Sequence, residues 1–262
     1  MRISWQRMGK IEIWIAILIV GWVGYSCEEY QEGCMDAAAT NYRASNQIPC
    51  CCEYPNIVFQ TTLTSDGSTS AFTDTFVNEM GQRFLIGDLR FMASDITLSD
   101  SLDRVFTPVD TFGSYETAPD LMAVDVLNLN STGGNFMANG RFDRMNFNIG
   151  IPGQLETKVP RDFPLEHPLR DSAFYDFTDH EWHVFMASVE VVGQGVIPVQ
   201  LTKNEWPVPV VIEGDWEKRR GGDLTVNFKV NVDKLFGNLD FTQPLETLRQ
   251  EVSQNLPDSF EP

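Results

Sequence analysis

The sequence predicts an all-β protein: an antiparallel β-sandwich of Ig-like or jelly-roll-like plan with a short C-terminal helix. Three observations carry that reading. Six segments beyond residue 55 are dense in β-branched and aromatic residues, which fit a pleated, half-buried surface: "NIVFQTTLT", "QRFLIGDLRFMASDITLSD", "RFDRMNFNIGIP", "HVFMASVEVVG", "VPVVIEGDW" and "LTVNFKVNVDKLF". Several alternate with a period of two. In "LTVNFKVNV", Val226, Phe228, Val230 and Val232 share one face, and Asn227, Lys229 and Asn231 share the other. Turn-forming clusters such as "NSTGGN", "GQG" and "RRGGD" separate the segments, and no strand alternates with a helix as a parallel sheet requires.

Residues 1–26 read as a signal peptide. Arg2, Arg7 and Lys10 form a basic head before the apolar run "IWIAILIVGWVGYSC", which is short for a bilayer span. Cys27 directly follows "GYS", so it is the expected lipidation site and first mature residue. An ordinary cleavable signal or a short membrane anchor is the competing reading. The expectation is an outer-membrane lipoprotein, facing the periplasm or the cell surface, held to the membrane by its lipid.

Residues 27–55 form the anchor and a Cys-rich spacer ending at Pro55. Cys34, Cys50, Cys51 and Cys52 lie close together in a chain expected to be exported, where four cysteines read as two disulfides with three pairings open. Zinc is the rival, but "CCC" lacks the C-x-x-C spacing with which two thiolates grip one metal. A calcium loop needs closely spaced carboxylates, and between Cys34 and Cys52 the spacer offers only Asp36.

Residues 56–262 form the sandwich domain. The chain carries 19 basic and 37 acidic residues, for a net charge of −18. Removing the leader's three bases and single acid (Glu12) leaves 16 and 36, a net of −20. Nucleic acid is excluded as a partner, because phosphate contacts need Lys and Arg. The closing helix is expected in "PLETLRQEVSQNL", where Leu245, Leu248, Val252 and Leu256 share one face behind Pro244.

Chemistry concentrates in residues 161–185, which contain all three histidines: His167, His180 and His183. In a strand, residues three apart face opposite sides, so His183 would lie in phase with Phe185, Ala187, Val189 and Val191, and His180 on the other face. A turn over "FTDHE" would instead let His180 curl back toward His183. Transition-metal sites favour two or more imidazoles, so these three histidines are the candidate metal ligands. The bland alternative, a strand beginning with one packed histidine, leads. Phe174, Tyr175, Phe177 and Trp182 could stack on a sugar ring or dock a partner, although core packing suits at least half of them. G-x-S-x-G, P-loop and H-E-x-x-H motifs are absent, and the acids of this stretch read as solvated surface, so the chain is not read as an enzyme.

Four segments, in order, resemble the MbnP-like family, exported β-sandwich proteins named after a copper-binding protein associated with methanobactin. They are "FVNEMGQRFLIGDLRFMASDITL" (76–98), "MNFNIGIPGQLE" (145–156), "HPL" (167–169) leading through "FYDF" to "WHVFMASVEV", and "VNVDKLF" (230–236). The spacer resembles the Gly-Cys-x-Asp element that opens exported proteins of Bacteroidota-like bacteria. The resemblance implies a β-sandwich and, for copper-associated members, a histidine-rich site with an oxidised tryptophan. This chain departs there: "VFQTTLT", "GIPGQLE" and "VIPVQLT" carry no histidine where those members do, and only His167 falls on a matching position. Trp182 does not stand at the family's Trp-rich position, which reads "AFYDF" here. The resulting expectation is a non-enzymatic binding or interaction module, accessory to an outer-membrane complex such as a TonB-dependent transporter. A copper-binding protein is the alternative.

Overall fold

Burial alternates along the long segments as the sequence periodicity requires. In this computed structural model the described residues are 30–109, 120–128, 130–165 and 167–262. The predicted signal peptide and Cys27 lie outside them. The principal strands are β1 (Asn56–Ser65), β2 (Arg83–Ser99), β3 (Met122–Asp125), β4 (Asn130–Asn135), β5 (Gly140–Ile149), β6 (Phe185–Val191), β7 (Gly195–Leu201), β8 (Val208–Lys218), β9 (Leu224–Asn231) and β10 (Phe260–Glu261). Two α-helices follow β9: α1 (Val232–Phe236) and α2 (Leu245–Ser259).

One sheet runs β7–β6–β2–β5–β8 with antiparallel neighbours. The 17-residue β2 is its spine. β2 pairs first with β6 and then with β5, while β3 pairs with residues 90–93. Phe91 opposes both Phe185 and Val124, so β3 and β6 flank β2 on opposite edges. The second sheet runs β10–β9–β1 and adds the strand Ser68–Ser70, with β4 also on β1. Within it β1 and β9 pair in parallel, from Leu224↔Ile57 to Asn231↔Thr64. This is a parallel joint in a sandwich otherwise built from antiparallel long strands.

Phenylalanines join the two layers. Phe147 lies 6.0 Å from Phe59, 6.1 Å from Phe91 and 5.6 Å from Phe260, measured between ring centroids, and Phe228 lies 5.3 Å from Phe59. All five are buried, in the tilted and edge-on arrangements that aromatic quadrupoles favour, apart from the nearly parallel Phe91–Phe147 pair. Helix α2 packs beside β7 and β8 and buries Leu248, Val252 and Leu256, as its periodicity predicts, and Pro244 stands at its N-cap.

Two segments depart from the sequence reading. The strand expected through "VNVDKLF" stops at Asn231, whose side-chain oxygen accepts hydrogen bonds from the backbone N–H groups of Asp233 (3.0 Å) and Lys234 (3.1 Å). That N-cap starts α1, because it satisfies two of the N–H groups a helix leaves orphaned at its start. The cluster "NSTGGN", expected as a turn, is strand β4. A Cβ on Gly133 would stand 2.6 Å from Met122 Cε and 3.1 Å from Ile57 Cγ2. Glycine serves there as a close-packing residue rather than as a turn former.

The cysteines form two disulfides, Cys34–Cys52 and Cys50–Cys51, which selects one of the three open pairings. The spacer meets the sandwich through the Pro55 carbonyl, which accepts the Phe136 N–H at 2.7 Å, the Tyr54 carbonyl, which accepts from Asn135 Nδ2 at 3.1 Å, and the tight approach of Gly221 to the Ala39 carbonyl.

Candidate functional site

The residues between β5 and β6 make a long excursion of short 3-10 turns and one small hairpin, and this excursion holds the histidines. Tyr175 pairs with Trp182 and Asp176 with Glu181. The intervening turn is shaped by Asp176, whose Oδ1 accepts from the Thr178 N–H at 2.6 Å and the Asp179 N–H at 3.3 Å. Those two backbone bonds chiefly hold the Asp176 carboxyl below its usual range. His180 closes the turn at φ 57°, in the left-handed region, and is exposed. The turn over "FTDHE" is therefore the arrangement present, and β6 itself begins only at Phe185. His183 is buried just before it, its N–H donating to the Phe174 carbonyl at 2.9 Å.

His167 belongs to a different part of the excursion. It precedes the 3-10 turn Pro168–Arg170, and its Nδ1 accepts the Leu169 N–H at 3.1 Å. Its ring stacks on Phe163 at 4.5 Å and is 3% exposed. Burial, with a smaller push from the Lys158 ammonium, lowers its pKa from 6.5 to about 4, so the ring is neutral at pH 7. Phe163 also meets the edge of Trp182 at 6.3 Å and lies under Lys158 Nζ at 5.6 Å.

Trp182 is 2% exposed and donates Nε1–H to the Lys158 carbonyl at 3.1 Å. Tyr175 packs edge-on against it at 4.9 Å. Of the four aromatics expected to offer contacts, Phe174, Tyr175 and Trp182 are thus buried, and only Phe177, 61% exposed, projects outward. The physical reason is the hairpin: pairing Tyr175 with Trp182 puts both rings on the inner side of the excursion. Nor do the candidate metal ligands converge. Among the described residues no three His, Cys, Asp or Glu side chains form a group able to hold a metal ion. His180 ends an exposed turn, His183 is buried between the hairpin and β6, and His167 caps a turn with one nitrogen already engaged. Two of the chain's nine methionines that could offer a soft thioether, Met92 of β2 and Met186 of β6, are in the core.

What the excursion does shape is a cleft. It packs against the β3–β4 region and encloses an open space of about 350 Å³, lined by Arg90, Asp125, Asn128, Asn130, Asp171 and Phe174 among others. Arg90 Nε pairs with Asp88 Oδ1 at 2.8 Å and stands 4.0 Å from Asp125 Oδ2. Asp171 is held by the Ala173 N–H at 2.9 Å, and Phe174 forms part of the wall. The sequence reading found Phe174 but missed the rest. Neither "DVLNLN" nor Arg90 stands in a recognisable motif.

The fold and site together define a β-sandwich that carries a disulfide-bonded N-terminal unit and a polar cleft lined by both sheets and the excursion. No protein-family model matches the chain, and no curated protein matches its sequence. Among solved structures, MbnP from Methylosinus trichosporium is similar at a TM-score of 0.50 and 10% identity, over 72% of this chain and 79% of that one. The shared property is the fold, so the MbnP-like sandwich expected from the four segments is present.

Proposed function

We propose that this chain is a non-enzymatic binding module of an exported lipoprotein, anchored through Cys27 and accessory to an outer-membrane complex. The observation that carries the reading is the Arg90–Asp171 cleft. Its volume falls in the range of small-ligand sites, and it sets one guanidinium among carboxylates and amides, which suits a polar partner group carrying both donors and acceptors. The excursion that forms one wall is fixed by buried rings, so the cleft is preorganised. The test is capture from detergent-solubilised outer membranes with the wild type and with Arg90→Ala/Asp125→Ala. A partner held by the wild type and lost from the variant supports the reading; equal retention by both removes the cleft from it. Mass spectrometry of the membrane-extracted protein is expected to find acylated Cys27, and an intact Met1 would end the lipoprotein part.

The likeness of fold to MbnP favours copper handling as the second reading. The residues present fit it poorly, because the three histidines are dispersed. Purified protein is expected to hold less than one chelator-resistant copper ion per chain, and His180→Ala/His183→Ala is expected to change that little. Stoichiometric copper lost in the double variant would make this reading the primary one.

A further inference from the structure

We propose that the Cys50–Cys51 bridge is a reversible thiol-exchange site that takes two electrons from a dithiol, while Cys34–Cys52 is the structural bond of the same unit. Three observations separate the bridges. The first is the chain each one closes. Cys34 and Cys52 are 18 residues apart, whereas Cys50 and Cys51 are neighbours. Stabilisation by a crosslink grows with the loop it closes in the unfolded chain, so the neighbour bridge adds little to the fold. The second is access. Cys34 is 1% exposed and its sulfur receives the Asp36 N–H, whereas Cys51 is exposed and Cys50 half-buried. Exchange requires an attacking thiolate to reach a sulfur; Cys52 is half-buried like Cys50, so among the four bridged cysteines Cys51 is the most accessible.

The third is how the surrounding backbone is held. Cys51 sits at φ 53°, a conformation uncommon outside glycine and characteristic of sites where strain is kept for a purpose. Its carbonyl accepts from Asn41 Nδ2 at 2.7 Å, and Asn41 Oδ1 accepts the Glu53 N–H at 3.0 Å. On the other side the Cys50 N–H donates to the Gly33 carbonyl at 3.1 Å, and the Thr40 N–H donates to the Glu53 carbonyl at 2.7 Å. These bonds hold both flanks without help from the Cys50–Cys51 sulfurs, so the bridge can open with the unit intact.

The reaction balances with a dithiol as the reductant. One thiolate of the dithiol attacks the exposed Cys51 sulfur, the S–S bond breaks, and Cys50 leaves as a thiolate that takes up a proton. The second thiolate of the dithiol attacks its own sulfur in the mixed disulfide and releases Cys51 as a thiolate, protonated in turn. The dithiol becomes a disulfide, and the protein gains two electrons and two protons.

The experiment equilibrates the folded, full-length protein with graded dithiothreitol, traps free thiols by alkylation, and maps them by peptide mass spectrometry. The expected result is alkylation of Cys50 and Cys51 at a dithiothreitol concentration at least about tenfold below that which opens Cys34–Cys52. Restored oxidising conditions should close the bridge again, with the circular dichroism spectrum unchanged throughout. Cys50→Ser/Cys51→Ser is expected to keep the Cys34–Cys52 linkage and the thermal midpoint of the wild type. Opening of both bridges together, opening of Cys34–Cys52 first, a linkage of Cys34 to Cys50 or Cys51, or loss of folding in the double variant would each overturn the proposal.

Discussion

His167 makes the fold sensitive to mild acid. In the unfolded chain its imidazole takes a proton near 6.5; in the folded chain it does so only near 4, because burial beside Phe163 and the nearby Lys158 ammonium oppose the charge. Between those values the unfolded state binds the extra proton. Stability therefore rises with pH across that window and falls as pH drops through it. The gap, at about 1.4 kcal/mol per pH unit, corresponds to about 3 kcal/mol, of which about 2.5 kcal/mol is lost by pH 4.5. That is a large share of the roughly 5–15 kcal/mol that holds a domain folded. The perturbation is His167→Asn, which keeps a side-chain oxygen for the Leu169 N–H and removes the titrating ring. Urea unfolding followed by tryptophan fluorescence at pH 7.5, 6.5, 5.5 and 4.5 gives both stability curves. The wild type should lose about 2.5 kcal/mol more than the variant between the first and last points. Carboxylates held low by their hydrogen bonds and ion pairs, such as Asp36, Asp100 and Glu261, contribute equally to both proteins and cancel in the difference. Parallel curves, or a folded-state His167 titration by NMR near 6.5, would refute the reasoning.

Phe147→Ala removes the ring that meets Phe59 and Phe260 across the layers and Phe91 within its own sheet, and should cost about 3–5 kcal/mol, read as a lowered urea midpoint with unchanged slope. Trp182→Phe keeps ring packing but loses the bond to the Lys158 carbonyl; a loss of about 1 kcal/mol is expected, and none would show that this bond does not anchor the excursion. His180→Gly relieves the left-handed turn residue and should leave stability unchanged or raise it by up to about 1 kcal/mol, whereas a clear loss would mean the imidazole has a structural partner.

The strands and their inner faces were legible because alternation is a local property. Val226, Phe228 and Val230 point inward for the same reason that Asn227 and Lys229 do not, and no knowledge of the neighbours is needed. The same holds for the inner face of α2, where Leu248, Val252 and Leu256 recur at helical spacing. Local pattern also left correct alternatives open: a turn at "FTDHE" was one of two readings, and Asp176 decides it by bonding the backbone of Thr178 and Asp179.

What tertiary structure alone decided depends on partners distant in the chain. The parallel pairing of β1 with β9 joins Ile57 to Leu224, and neither segment carries a mark of the other. Gly133 is in a strand because Met122 and Ile57 close in on it, a reason invisible in "NSTGGN". Four cysteines allow three pairings, and only the folded spacer brings Cys34 to Cys52. The sequence offered three histidines as candidate ligands beside the leading reading of one packed histidine, and the hairpin and the Phe163 stack send them to an exposed turn, a buried place just before β6 and a capped 3-10 turn. The cleft gathers Arg90, Asp125 and Asp171 from a strand, its neighbour and the excursion, and such a surface exists only once those three are packed together.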